Sequence, residues 1–209
     1  MKFSKLFYLI AFGIILSHPA LSQTDIENEI FGLGQISGEE LKLTDEQKKD
    51  FTDKALRKTK ALSNYISIIA DKSKEETQRS RAVDMAVKLF MSENSTVEIS
   101  SLGKQTKRLK IRAYLNRLKL LPYYKVKISW FDIFFATNFT KRPDGKYEAI
   151  ATIFQKFEGS NNDGFKYIDI TKKNIQIIIE QVEIKTGDKS EKVWEVFLGD
   201  IKVEETRKE

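Results

Sequence analysis

The chain has 209 residues, of which 41% are hydrophobic and 32% charged, with a formal net charge of +6. That length is enough for one domain with a sizeable core. There is no cysteine, and the single histidine is His18, so disulfides, thiol catalysis and cysteine-ligated metal sites are excluded.

The first residues set a compartment expectation. Lys2 and Lys5 precede an apolar run from Leu6 to Leu16, and SHPALS follows. The run is short for a bilayer span and is flanked as a secretory signal is. Residues 1–22 are therefore expected to be a cleaved signal peptide, with export to the periplasm or the cell exterior. Loss of His18 with that segment would leave no histidine for a catalytic triad or for zinc. No metal and no cofactor are expected. Residues 23–42 carry Gly32, Gly34 and Gly38 in a polar setting and are expected to be a flexible lead. The domain proper is expected over 43–209.

Thr44 with Gln47 three residues on is a capping-box pattern, and Asp45 and Glu46 suit the positive end of a helix dipole. Phe51, Ala55, Leu62, Ile66 and Ile69 recur at helical spacing and predict one apolar face. A second helix is expected from a Ser73 cap with Glu76, burying Ala82, Val83, Ala86, Val87 and Phe90. Residues 94–101 have strand character. TKRLKIRAYLNRLKLLP, residues 106–122, is expected to be a third helix with Ile111, Leu115 and Leu118 inward, stopped by Pro122.

After Pro122 the apolar period changes to two. RPDGK, GSNNDG and KTGDK are strong turn sequences. They divide the rest into four long strands, 123–140, 146–158, 165–184 and 192–205, expected to form an antiparallel meander. Gly199 and the phase break near Trp130 are candidate bulges. The expected class is α+β: N-terminal helices on one face of a curved, mainly antiparallel sheet of four to five strands.

The element order, with KYEAIATIFQKFEG, YIDITKKNIQIIIE and VWEVFLGDIKVEE as its hairpin and last strand, resembles the nuclear-transport-factor-2-like superfamily of cystatin-like α+β cones. The resemblance covers about 45–206, and secreted bacterial members are the most similar. It implies a pocket between helices and sheet, used for catalysis in some members and for binding or dimerisation in others. Enzymes of that superfamily often pair a histidine with an aspartate. That pair is missing here, so no catalytic residue carries over.

Charge is unevenly placed. Between Glu98 and Asp132 no residue is acidic, while Lys104, Lys107, Arg108, Lys110, Arg112, Arg117, Lys119, Lys125 and Lys127 are basic. Lys107, Arg108, Lys110, Arg112, Arg117 and Lys119 form a candidate basic surface for anionic lipid heads or an acidic partner. The plain alternative is a solvated helix face balanced by acids such as Glu180, Glu183 or Glu195. Nucleic acid is not expected, because no nucleic-acid motif is present and the chain is read as exported.

Within the strands, Asp132, Gln155, Asp169 and Asp200 are polar groups embedded in apolar sequence, and Phe131, Ile133, Phe134 and Phe135 break the alternation. Trp130, Asp132, Phe134, Gln155, Asp169 and Trp194 are the candidate ligand or partner-binding residues. The leading expectation is a non-enzymatic binding or accessory module of the bacterial cell envelope, with an envelope protein, a small apolar ligand or a second copy as partner. The alternative is a small-molecule enzyme or carrier with an apolar cavity, where burial raises a strand carboxylate, Asp132 or Asp169, to general-base range.

Overall fold

The computed structural model describes residues 44–100, 105–135, 137–186 and 189–208. All of them belong to one compact unit. The expected signal and lead, residues 1–42, and Lys104 lie outside the described residues.

The elements in chain order are α1 (Asp45–Ala70), α2 (Glu76–Val87), β1 (Thr96–Ile99), β2 (Lys107–Lys110), α3 (Ile111–Lys119), β3 (Lys125–Phe135), β4 (Thr140–Lys141), β5 (Tyr147–Ser160), β6 (Lys166–Thr186) and β7 (Lys189–Lys208). The class is α+β, as expected. The sheet is larger and more mixed than four to five antiparallel strands: it has seven, in the order β2-β1-β7-β6-β5-β3 with β4 on β5. The meander of β3, β5, β6 and β7 is antiparallel throughout, while β1 joins β7 in parallel at Val97 and Ile201.

Local chemistry explains the first helix. Thr44 accepts from the Gln47 backbone N–H, and the Gln47 side chain accepts from the Thr44 N–H, a complete capping box. Phe51, Ala55, Leu62, Ile66 and Ile69 are all buried. The second helix does not start as expected. Asp71 Oδ1 accepts from both the backbone N–H and the hydroxyl of Ser73, a local turn that competes with capping. The helix begins at Glu76, without a side-chain cap. Ala82, Val83, Ala86 and Val87 form its buried stripe, and Phe90 is buried beyond its end.

The segment 106–122 is the main correction. Its first part is not helical: Lys107–Lys110 pairs antiparallel with β1, Leu109 opposite Val97. Four backbone pairs covering an otherwise open edge outweigh the helix preference of Lys, Arg and Leu, which are good helix formers but by less than about 1 kcal/mol per residue. The chain turns at Lys110, where the Ile111 N–H donates to Ser95 O, and only α3 is helical. Ile111, Tyr114, Leu115 and Leu118 are its buried residues. The buried Arg79 guanidinium ties this helix to the first, donating to Ile69 O and Lys119 O. It thus satisfies carbonyls at the C-terminal ends of both α1 and α3.

Two turn sequences close as expected, with Asn161 N–H on Phe165 O and Arg142 N–H on Lys146 O; the centre of the third, KTGDK, lies outside the described residues. Both expected bulges exist. The β3–β5 register shifts between Phe131 and Phe134, and Asp132 takes a positive φ of 49° there. The β6–β7 register shifts between Ile175 and Ile177, opposite Gly199 and Asp200. The bulge sorts the aromatic run that breaks the alternation. Phe131 stacks on Phe154, Phe134 lies opposite Thr152 and is 47% exposed, and Phe135 returns to the core against Phe139.

The core lies between the helices and one sheet face. Leu62, Ile66, Ile69 and Leu115 meet Ile153, Ile175, Ile177, Ile179, Val196 and Leu198. Burial of such side chains contributes about 1.5–3 kcal/mol each relative to exposure.

A candidate ligand site at the polar end of the helix-covered face

Alternate residues of a strand share a face. Along β6 the helix-covered face runs Tyr167, Asp169, Thr171, Lys173, Ile175, Ile177, Ile179. The last three are core, and the first four line a cavity of about 480 Å³. Strand β5 contributes Gln155 and Phe157, opposite Thr171 and Asp169 in register. Tyr114, Arg117 and Leu118 of α3 lie across the opening, with Leu121, Pro122 and Tyr123 following. Ile99, Ser100, Gln105 and Lys107 come from β1, β2 and the chain between them.

One wall is aromatic. Tyr123 packs edge-on to Phe157 at 5.5 Å, and Phe157 packs edge-on to Tyr167 at 6.0 Å. Gly159 permits this approach, since a Cβ there would stand 2.7 Å from the Tyr123 ring.

The polar floor is largely bonded. Trp130 Nε1 donates to Gln155 Oε1 at 3.2 Å. The Thr171 hydroxyl meets that of Thr206 at 3.2 Å, and Thr206 in turn meets Ser100. Burial pushes the Asp169 carboxyl above the usual carboxylate range, while a hydrogen bond from Tyr167 and the charge of Lys173 pull it back. Lys173 is only 3% exposed. Its Nζ donates a long 3.4 Å bond to Glu98 O and sits 5.7 Å from the Tyr114 ring centroid. Burial lowers its pKa from 10.5 to about 8, against the opposing pull of Asp169 and Glu98. Burial likewise pushes the Tyr114 phenol up.

The candidates named from sequence therefore separate. Gln155 and Asp169 meet in the cavity, with Trp130 behind Gln155. Asp132 does not: the bulge turns it to solvent, so it is no buried base. Phe134 lies opposite Thr152 on the far face, and Trp194 packs against Tyr147 at 5.4 Å. Asp200, the remaining embedded carboxylate, accepts from the Thr96 backbone N–H at 2.7 Å and joins β1 to β7.

The basic residues separate too. Arg108 pairs with Glu98, Arg112 with Asp84 and Glu93, and Lys119 with Glu76. Lys110 bonds Asn94 Oδ1. The expected acids serve elsewhere: Glu180 holds Lys146, Glu195 holds Lys58 and Glu183 accepts from Ser190. Pairing of 107–110 with β1 brings Glu98 to Arg108, and the place of α3 beside α2 brings Asp84, Glu93 and Glu76, 19 to 43 residues away in sequence, to Arg112 and Lys119. Lys107 and Arg117, both exposed, flank the cavity.

Sequence reasoning missed Lys173, Thr171 and Tyr167. The signal was present: in YIDITKKNIQIII one face changes from polar to apolar after Lys173. Taken alone, DITKK looks like a strand edge guarded by lysines, whereas β6 lies between β5 and β7. Among the described residues no cluster of three or more acidic, histidine or cysteine side chains is placed to hold a metal, and no helix is long and apolar enough to cross a membrane. No protein-family model, no curated protein and no solved structure matches this chain.

Proposed function

We propose that the protein is a non-enzymatic binding module that takes a small anionic molecule with an apolar body into the cavity under α3. One observation carries this reading. The cavity has apolar and aromatic walls, and among the described residues its charged lining is Lys107, Arg117 and Lys173 against the single carboxylate Asp169. A volume of about 480 Å³ lies in the range of small-molecule sites, which are apolar with a few placed polar groups. The segment 1–22 supports an exported, envelope-located protein, and the pocket between helices and sheet is in keeping with a nuclear-transport-factor-2-like cone.

Fluorescence titration with 8-anilinonaphthalene-1-sulfonate, an aromatic anion, tests this. One dye per chain, displaced by filling the pocket with Leu118→Trp, is the expected result. Dye binding indifferent to Leu118→Trp would remove the pocket from the reading.

A second reading has its own observation, the raised carboxyl of Asp169. There Asp169 acts as a general base on the bound molecule. Asp169→Asn then abolishes turnover while leaving binding in place; under the binding reading it changes affinity only.

A further inference from the structure

The cavity has cations at two depths. Lys107 and Arg117 are exposed residues at its rim, whereas Lys173 is buried. Lys173 stands opposite the core residue Ile153 on β5 and opposite Val203 on β7, at the junction of polar and apolar floor.

An ammonium has three N–H donors and no acceptor. Lys173 directs one, at 3.4 Å, to Glu98 O and lies near the Tyr114 ring. The carboxylate of Glu98 is engaged elsewhere, taking Arg108 on one oxygen and the Val203 N–H on the other. Asp169, four residues away on the same strand face, is the other acid whose charge acts on the lysine. Among the described residues, the charged and titratable groups around Lys173 and its cavity are thus Asp169 and Tyr167 on its own strand, Tyr114 and Arg117 on α3, Tyr123 after it, Glu98 on β1 and Lys107 on β2. A buried ammonium with spare donors facing a cavity is a costly arrangement unless an acceptor arrives.

We infer that the acidic head of the bound molecule enters first and is held by Lys173 at the buried end, while its apolar body lies along Tyr114, Leu118, Ile128 and Phe157. Lys107 and Arg117 then steer the approach rather than hold the head. Charge-assisted bonds formed where water is excluded hold an anion more firmly than cations at an exposed rim. The recognised chemistry is an anionic oxygen head, carboxylate or sulfonate, on an apolar body. This inference rests on the pocket reading above.

Two dyes of one shape separate the two claims. 8-Anilinonaphthalene-1-sulfonate carries the anion; N-phenyl-1-naphthylamine is the same body without it. In the wild-type protein the sulfonate dye is expected to bind more tightly. Its affinity should fall as pH rises from 7 to 9.5, a window in which model lysine and arginine side chains remain charged. Lys173→Met should weaken the sulfonate dye by about tenfold or more at pH 7, the worth of one charge-assisted bond, and flatten that pH profile. The neutral dye should be unaffected. Arg117→Gln should lower the salt dependence and leave the pH profile intact.

Unchanged sulfonate affinity in Lys173→Met overturns the inference, as does a loss carried entirely by Arg117→Gln. Equal loss of both dyes in Lys173→Met also overturns it, because the lysine would then maintain the shape of the pocket. If neither dye responds to Leu118→Trp, the pocket reading fails first.

Discussion

Strand β6 shows two ways of using one sheet face. Its C-terminal half offers Ile175, Ile177 and Ile179 to the helices, all fully buried in the core. Its N-terminal half offers Tyr167, Asp169, Thr171 and Lys173 to a cavity. Backbone, strand partners and hand are shared. What differs is the cover: α1 packs with the core at the first end, while α3 at the second stands over a space. The apolar end is close-packed and holds the fold. The polar end buries groups that are mostly paired within the protein and leaves Lys173 with one long bond beside a cavity.

The largest expected effect belongs to the packed end. Ile177→Ala should cost about 2–5 kcal/mol, the range for truncating a buried aliphatic side chain, read as a lowered urea midpoint. Thr171→Ala, four residues before Ile175 on the same face, should cost about 1 kcal/mol, since it removes one neutral hydrogen bond. Equal losses would dissolve the contrast.

Lys173→Met should act in the opposite direction. The unfolded chain keeps this proton to about pH 10.4, whereas the folded chain releases it near 8. Between those values the unfolded state binds more protons, so the wild-type protein gains stability as pH rises. Its penalty is complete below pH 8, roughly 3 kcal/mol by that shift, and is gone above about pH 10.5. The methionine variant should therefore be the more stable at pH 7, with a gap that closes across that window in thermal melts. A gap independent of pH would mean that packing, not charge, separates the two proteins.

The two glycines of close approach sharpen the contrast further. A Cβ at Gly199, in the bulge opposite the packed half, would lie 2.4 Å from Gln176 Oε1. That amide also donates to Glu148 at 2.8 Å and accepts from the Asp200 N–H. Gly199→Ala should cost about 1–3 kcal/mol, as overpacking does, and Gln176→Ala in the same chain should recover part of it. Gly159→Ala instead pushes on Tyr123 at the cavity wall; its expected effect is on dye affinity rather than on the melting temperature.

The smallest effect is expected outside both ends. Arg112 pairs with Asp84 and Glu93 on exposed surface, and such pairs contribute about 0–1 kcal/mol. Arg112→Gln should leave both stability and dye binding near wild type. If reversing Lys110, Arg112 and Arg117 to Glu together leaves association with anionic vesicles unchanged at low salt, the docking surface expected from the basic run is excluded.

Much of the architecture was legible in one dimension. Thr44 with Gln47 marks the start of α1, because a cap is a contact between residues three apart. Phe51 to Ile69 mark its buried face through spacing alone, and the turns at RPDGK and GSNNDG mark the hairpins. Gly199 and the break after Trp130 announce two of the register shifts, since each interrupts a period of two; the third, between Lys172 and Lys173, has no such mark. The class follows from these local signals. So does the presence of embedded polar groups, including Gln155 and Asp169.

Tertiary structure decided the rest. Lys107–Lys110 is a strand because β1 needed a partner, and no local preference encodes that. Asp132 is in solvent and Asp169 is buried because the first sits in a bulge near the sheet edge and the second on an interior strand; both are aspartates in apolar runs. Lys173 became the centre of the site through the position of β6 between β5 and β7, which converts an edge-like DITKK into a floor. Residues distant in sequence set these outcomes, through long-range pairing and burial. Sequence periodicity reports which residues share a face, but only packing decides whether that face meets a core, water or a cavity.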